Sequence, residues 1–161
     1  IRLSLVGSEM CIRDRIQRVS EAKVEVNAKV IGQIEKGLLV LMGYENEDTP
    51  SDIEWMIKKI LQLRVFNDEE GKMNLSLLDI NGDILLISQF TLNASTKKGN
   101  RPSFIKAAHP DIALPLYQQS IAHFQKNLGK AIQAGEFGAD MQVSLLNNGP
   151  VTIILDSKQK I

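Results

Sequence analysis

"IQRVSEAKVEV", residues 16–26, alternates side chains from Ile16 to Val26 in the two interleaved faces of a half-buried strand. Asn27-Ala28-Lys29 follows as a hairpin turn, with alanine standing where such a turn favours glycine. "VIGQI" (30–34) and "GLLVLMGY" (37–44) read as two further strands, and the unbroken apolar run Leu38–Met42 predicts a strand buried on both faces. Strands joined by turns this short set a largely antiparallel frame.

Working outward, "DTPSDIEWMIKKILQLRVF" (48–66) predicts the first helix. Thr49 can cap it, Pro50 suits its first position, and Asp52 places negative charge near its N-terminus. Ile53, Met56, Ile57, Ile60, Leu61 and Arg64 recur at helical spacing, with Lys58 and Lys59 outward. "FNDEEGKMNLSLLDINGD" (66–83) reads as a polar connection with an Asn81-Gly82 turn, leading into the buried strand "ILLISQFTL" (84–92). After the loop "NASTKKGNRPS" (93–103), a second helix runs from about Pro110 to Leu128, with Tyr117, Ile121, Phe124 and Leu128 on one stripe. Two last strands, "MQVSLLN" (141–147) and "VTIIL" (151–155), are joined through Asn147-Asn148-Gly149-Pro150. Proline has no N–H for a ladder, so this element is an edge, a turn, a cis bond or a functional device. The pattern gives one α/β (α+β) domain with mostly antiparallel strands and two main helices.

At 161 residues the chain fits a single domain, and 43% hydrophobic with 24% charged residues is ordinary for a globular protein. No apolar run reaches the roughly 18–20 residues of a membrane span, and a cytoplasmic location is expected. The formal charge of zero excludes a polybasic nucleic-acid binder, so any nucleic-acid contact must be local. Residues 1–15, "IRLSLVGSEMCIRDR", differ in character from the rest. Reverse translation of Met10–Arg15 resembles the end of a transposon-type sequencing adapter, so the segment is expected to be a non-native, disordered tag, with the native first residues missing. The only cysteine, Cys11, lies within it. Removing Arg2, Arg13 and Arg15 from 19 basic residues, and Glu9 and Asp14 from 19 acidic ones, leaves 16 against 17. The domain is then expected to span residues 16–161.

The familiar catalytic kits are missing. His109 and His123 stand in no metal-ligand spacing, and there is no G-x-G-x-x-G, P-loop or G-x-S-x-G. Asp68, Glu69 and Glu70 read as a solvated turn. Three features remain: polar Ser88-Gln89-Phe90-Thr91 at a buried strand end, the basic loop with Lys97, Lys98 and Arg101, and Gly149-Pro150. Taken singly, each also has an ordinary reading, as a hydrogen-bonded strand end, a solvated loop and a turn.

Together they carry a resemblance. "SQFTL" (88–92) and "NNGPVT" (147–152) resemble the two signature motifs of D-aminoacyl-tRNA deacylase. "IQRVSEAKVEV", "GLLVLMG", "GNRPSF" and "GEFGADMQVSLLNNGPVT" resemble its other stretches in the same order. The likeness runs from Ile16 to about Asp156. It implies antiparallel sheets curled into a barrel-like core, a homodimer, and hydrolysis of the ester between a D-amino acid and the 3′-terminal adenosine of tRNA. It implies no cofactor and no metal.

By the same resemblance, Ser88, Gln89, Phe90 and Thr91 line the catalytic pocket. Gly149 and Pro150, joined by a cis bond, enter the partner subunit's pocket as a chirality filter. Arg18 helps hold that element, and Phe137 and Met141 lie near the adenosine. Lys97, Lys98 and Arg101 would contact tRNA phosphates. Rejection against main chain cannot exclude an amino acid without a side chain, so glycyl-tRNA is an expected second substrate. The rival readings are a non-catalytic module binding the tRNA acceptor end and a small-molecule esterase. One departure from the family stands out: Asp14 and Arg15 occupy strand positions that are apolar there, which should weaken the first strand.

Overall fold

The computed structural model describes residues 12–159. Its elements are β1 (Arg13–Val26), β2 (Lys29–Ile34), β3 (Gly37–Gly43), α1 (Pro50–Gln62), β4 (Phe66–Asn67), β5 (Met73–Leu75), α2 (Leu77–Ile80) and β6 (Asp83–Ser88). A 3-10 turn (Phe90–Asn93), α3 (Pro110–Leu128), β7 (Gln133–Ala134) and β8 (Gln142–Asp156) complete it.

The main sheet runs β2-β1-β3-β6-β7, with β8 on the other edge of β1. It curls until β2 meets β6 and β7, and the Gln33 N–H donates to Gln133 Oε1 across the gap at 3.3 Å. The result is a mixed α/β fold around a nearly closed, barrel-like sheet. The pairings of β1 with β2, β3 and β8 are antiparallel, as expected. The β3–β6 and β6–β7 pairings are parallel, because residues 44–82 return α1, and residues 89–132 return α3, over the sheet as crossovers.

The continuous apolar strand explains the layering. From β3, Leu38, Val40 and Met42 face α1 and α3, while Leu39 faces the barrel interior with Leu85, Ile87, Val19, Ala22 and Val24. β1 serves both layers. Ile12 and Ile16 point to the helix side, whereas Ala22 and Val24, also even-numbered, point inside. The parity changes at Ser20-Glu21, two consecutive exposed residues where the register with β8 slips. A bulge there re-aims the strand, which a single alternation from Ile16 to Val26 does not anticipate.

α1 begins as expected, with a reciprocal capping box between Thr49 and Asp52 and a buried stripe of Ile53, Met56, Ile57, Ile60 and Leu61. Arg64 falls beyond the helix and instead donates to the Asn74 carbonyl at 2.9 Å. α3 spans the expected residues and buries Leu116, Tyr117 and Phe124 against α1 and the sheet. The connection at 66–83 holds more structure than expected: the β4–β5 hairpin and α2, capped by Ser76 and closed by Asn81 at φ 52°. Such short elements carry too few residues for a period to register.

Two further expectations are corrected. Arg13–Arg15 are not disordered: they open β1 and pair with Leu41–Gly43 and Ile154–Asp156. Ladder hydrogen bonds use main chain, so polar side chains do not prevent the pairing. Residues 1–11 of the expected tag lie outside the described residues. In addition, 142–156 is one strand, not two: Gln17 pairs with Thr152 and Val19 with Asn147, so residues 148–151 bulge out opposite Arg18 alone. At the first hairpin, Asn27 and Ala28 sit at φ 52° and 63°. Left-handed alanine costs about 1–2 kcal/mol, part of it offset by alanine's lower unfolded-state entropy. Ala28→Gly is therefore expected to stabilise by about 0.5 kcal/mol, read as a higher urea midpoint at unchanged m-value.

Candidate active site

A cavity of about 830 Å³ opens at the C-terminal ends of β3 and β6. Its walls come from Met42–Tyr44, the 3-10 turn, Phe104, the entry to α3, and the segment Phe137–Met141. Strand β6 ends at Ser88 because the chain tightens into the 3-10 turn, tied to β3 by the Gln89 N–H donating to the Met42 carbonyl at 2.9 Å. This turn presents Gln89, Phe90 and Thr91 to the cavity, and the Gln89 amide donates to Thr91 Oγ1 at 2.9 Å. The N–H groups of Phe90 and Thr91 head the turn, where no preceding carbonyl of the turn accepts them. Buried Asn93 braces it from behind, its amide donating to Glu45 at 2.9 Å.

The opposite wall is fixed by Tyr117 on α3. Its hydroxyl donates to the Gly135 carbonyl at 2.7 Å and lies 3.2 Å from the Leu86 carbonyl, and its ring packs on Phe137 at 5.9 Å. Burial pushes this phenol up to about 12, the bond to Gly135 offsetting part of the rise, so it stays a neutral donor. Met141 packs against Gly135, where a Cβ would come within 2.6 Å of its sulfur.

The structure thus brings Ser88, Gln89, Phe90, Thr91, Phe137 and Met141 to one cavity. Gly149 and Pro150 do not line it. They stand exposed on the β8 bulge, their peptide bond cis. Arg18 holds that bulge: Nε donates to the Asn148 carbonyl at 2.9 Å, and Nη1 to the Val65 carbonyl at 2.7 Å. Gly149 has φ 127°, and an added Cβ would come within 2.8 Å of Arg18 Nη2, so the position requires glycine. Lys97, Lys98 and Arg101 are exposed on the hairpin closed by Ser95 and Ser103, apart from the cavity lining.

Sequence reasoning missed Tyr44, Phe104, His109 and Asp140 as cavity residues. His109 is the N-cap of α3, its Nδ1 accepting from the Asp111 N–H at 3.3 Å. The only sequence signal was its place before Pro110. What carries it to the cavity is a distant contact, the Ala108 N–H donating to the Tyr44 carbonyl at 2.9 Å. Asp68 accepts N–H bonds from Glu70 and Lys72, a self-contained loop as expected. Among the described residues, no group of three His, Cys, Asp or Glu side chains could hold a metal ion. No helix there is long and apolar enough to cross a membrane.

A profile of the family described as D-Tyr-tRNA(Tyr) deacylase matches residues 15–156. The chain is 58% identical over 149 residues to a D-aminoacyl-tRNA deacylase of Christiangramia forsetii, covering 92% of this chain and 99% of that one. It is 57% identical over 145 residues to one of Flavobacterium psychrophilum, covering 90% and 97%. Among solved structures, a "c-Myc DNA Unwinding Element Binding Protein" is similar at TM-score 0.85 and 42% identity, over 89% of this chain and 97% of that one. A probable eukaryotic D-amino acid tRNA deacylase shares the fold at TM-score 0.80 and 20% identity, over 91% and 100%.

Proposed function

The chain belongs to the D-Tyr-tRNA(Tyr) deacylase family, and from that premise we propose how its residues divide the work. The protein is a D-aminoacyl-tRNA deacylase: it hydrolyses the ester between a D-amino acid and tRNA. The carrying observation is a match of nearly six residues in ten along nine-tenths of the chain, with "SQFT" of the family motif lining the cavity.

An aminoacyl ester is already activated, so the site need mainly position water and stabilise the developing oxyanion. The Phe90 and Thr91 N–H groups serve that oxyanion. Phe137 and Met141 flank the terminal adenosine. Thr91 donates to or orients the reacting group without acting as nucleophile, since its partner is the Gln89 amide and not a base. Gly149 and Pro150 stand exposed, 148–151 projecting from the sheet, as an element must be to enter a second subunit's cavity. In that homodimer they form the filter that rejects L-amino acids. Leu146 and Ile154, each 55% exposed on the same strand, supply apolar surface for the association.

The test is one assay on three esters. D-Tyr-tRNA is cleaved, while L-Tyr-tRNA and a D-tyrosine ester lacking RNA are not. Binding of tRNA without turnover would replace the enzyme by a binding module, and cleavage of the RNA-free ester would make it a general esterase. Glycyl-tRNA is expected to be hydrolysed at enzyme levels that clear D-Tyr-tRNA, because a filter acting on a side chain finds none. Thr91→Ala is expected to lower kcat about tenfold to a hundredfold without abolishing it. Complete loss in a folded, tRNA-binding variant would make the hydroxyl the nucleophile.

A further inference from the structure

Resting on the deacylase reading, we propose that the Ser95–Ser103 hairpin and Phe104-Ile105 form a platform for the single-stranded 3′ end of tRNA, upstream of the esterified adenosine. The hairpin is built rather than loose: the Ser95 and Ser103 N–H groups donate to each other's carbonyls at 2.8 Å. Its C-terminal side is tied back by the Ala107 N–H to the Phe104 carbonyl at 3.0 Å and by Ala108 to Tyr44.

Its charge is one-sided. From Ile84 to Pro110 there is no Asp or Glu, yet Lys97, Lys98, Arg101 and Lys106 all fall there, in a chain of zero formal charge. Such a local patch attracts a polyanion without making the whole protein basic. Beside it stands an unusual amount of exposed apolar surface. Ile105 is 85% exposed and Phe90 58%, and the Phe90 and Phe104 rings meet edge to face at 5.1 Å.

Phe104 lines the cavity, and Ile105 lies outside it. An adenosine in the cavity would therefore send its 5′ phosphate chain out past Phe104 and Ile105 toward the cations. An exposed Phe90 ring against half-buried Phe104, with exposed Ile105 and flanking cations, matches unpaired nucleotides, whose bases stack while their phosphates are neutralised, without sequence readout. A duplex offers no such free bases.

The test is the affinity of the full chain for unesterified 5′-ACCA-3′ RNA, by fluorescence anisotropy, together with kinetics on D-Tyr-tRNA. Ile105→Asp, at an exposed position that should not disturb folding, is expected to weaken the tetranucleotide about tenfold. It should raise KM for D-Tyr-tRNA by a similar factor, with kcat within about twofold. Wild-type-like RNA affinity in Ile105→Asp, or no tetranucleotide binding by the wild type, overturns the platform. So does a fall of about tenfold in kcat for D-Tyr-tRNA at unchanged KM, which would place Ile105 at the ester itself. A dimer that dissociates in this variant while RNA affinity is kept also overturns it, since the face would then belong to a second copy. Should the wild type bind the RNA yet leave D-Tyr-tRNA intact, the platform stands and the deacylase reading falls.

Discussion

Arg18→Leu is expected to cut turnover of D-Tyr-tRNA by about a hundredfold and to erode the preference for D over L esters. Arg18 is 7% exposed, and its guanidinium joins two segments far apart in sequence, Asn148 beside the Gly-Pro element and Val65 after α1. A third N–H reaches Asn67 Oδ1 at 3.4 Å. Leucine keeps the packing but strands two carbonyls, at a cost of about 1–3 kcal/mol each. The variant should therefore also lose roughly 2–4 kcal/mol of stability in urea unfolding. Arg18→Lys separates the two effects: a single ammonium can reach one carbonyl but not span both, so stability returns in part while selectivity does not. Full activity and full selectivity in a folded Arg18→Leu protein would show that the bulge needs no anchor.

Asp14→Val is expected to stabilise the protein by about 3 kcal/mol at pH 8, a rise of about 6–12 °C in Tm. Asp14 is 1% exposed between Ile12 and Ile16 on the helix-side face of β1, and neither carboxyl oxygen has a hydrogen-bond partner among the described residues. Burial pushes its carboxyl well above the ordinary range, and the neighbouring charges of Asp48 and Asp156 push the same way. Burial likewise pushes Asp48 up to about 7, against the opposing hydrogen bond from the Glu45 N–H.

In the unfolded chain both groups titrate near pH 4. Between there and their folded values the native state holds more protons, so the contribution of these two groups to stability is greatest at acid pH and is lost as pH rises through 7. The gain from Asp14→Val should grow as pH rises above about 4 and vanish toward pH 4. Asp14→Asn should flatten the same slope while recovering less, because its amide remains unpartnered. A pH–stability profile identical in wild type and Asp14→Val would remove Asp14 from the account. Among the polar residues before "IQRV", Asp14 is thus the one expected to weaken the strand's energetics, though β1 forms around it.

The chain's local chemistry was legible without coordinates. The Thr49–Asp52 cap, the α1 and α3 stripes and the doubly buried run Leu38–Met42 follow from period and capping, which involve residues only a few positions apart. The order of short motifs named the family, and the Gly149-Pro150 interruption marked where the last strand departs from a regular ladder. Other features needed the folded chain because they join distant segments. The bulge at 148–151 is defined only by what β1 offers opposite it, and Arg18 by carbonyls 47 and 130 residues away. The cavity is likewise a meeting of strand ends, a helix entry and a late loop, which is how His109, Phe104 and Asp140 come to line it. Sequence periodicity reports which face of an element is apolar. Which other element covers that face, and which polar groups then converge, is set by long-range pairing and packing, and only the tertiary structure decides it.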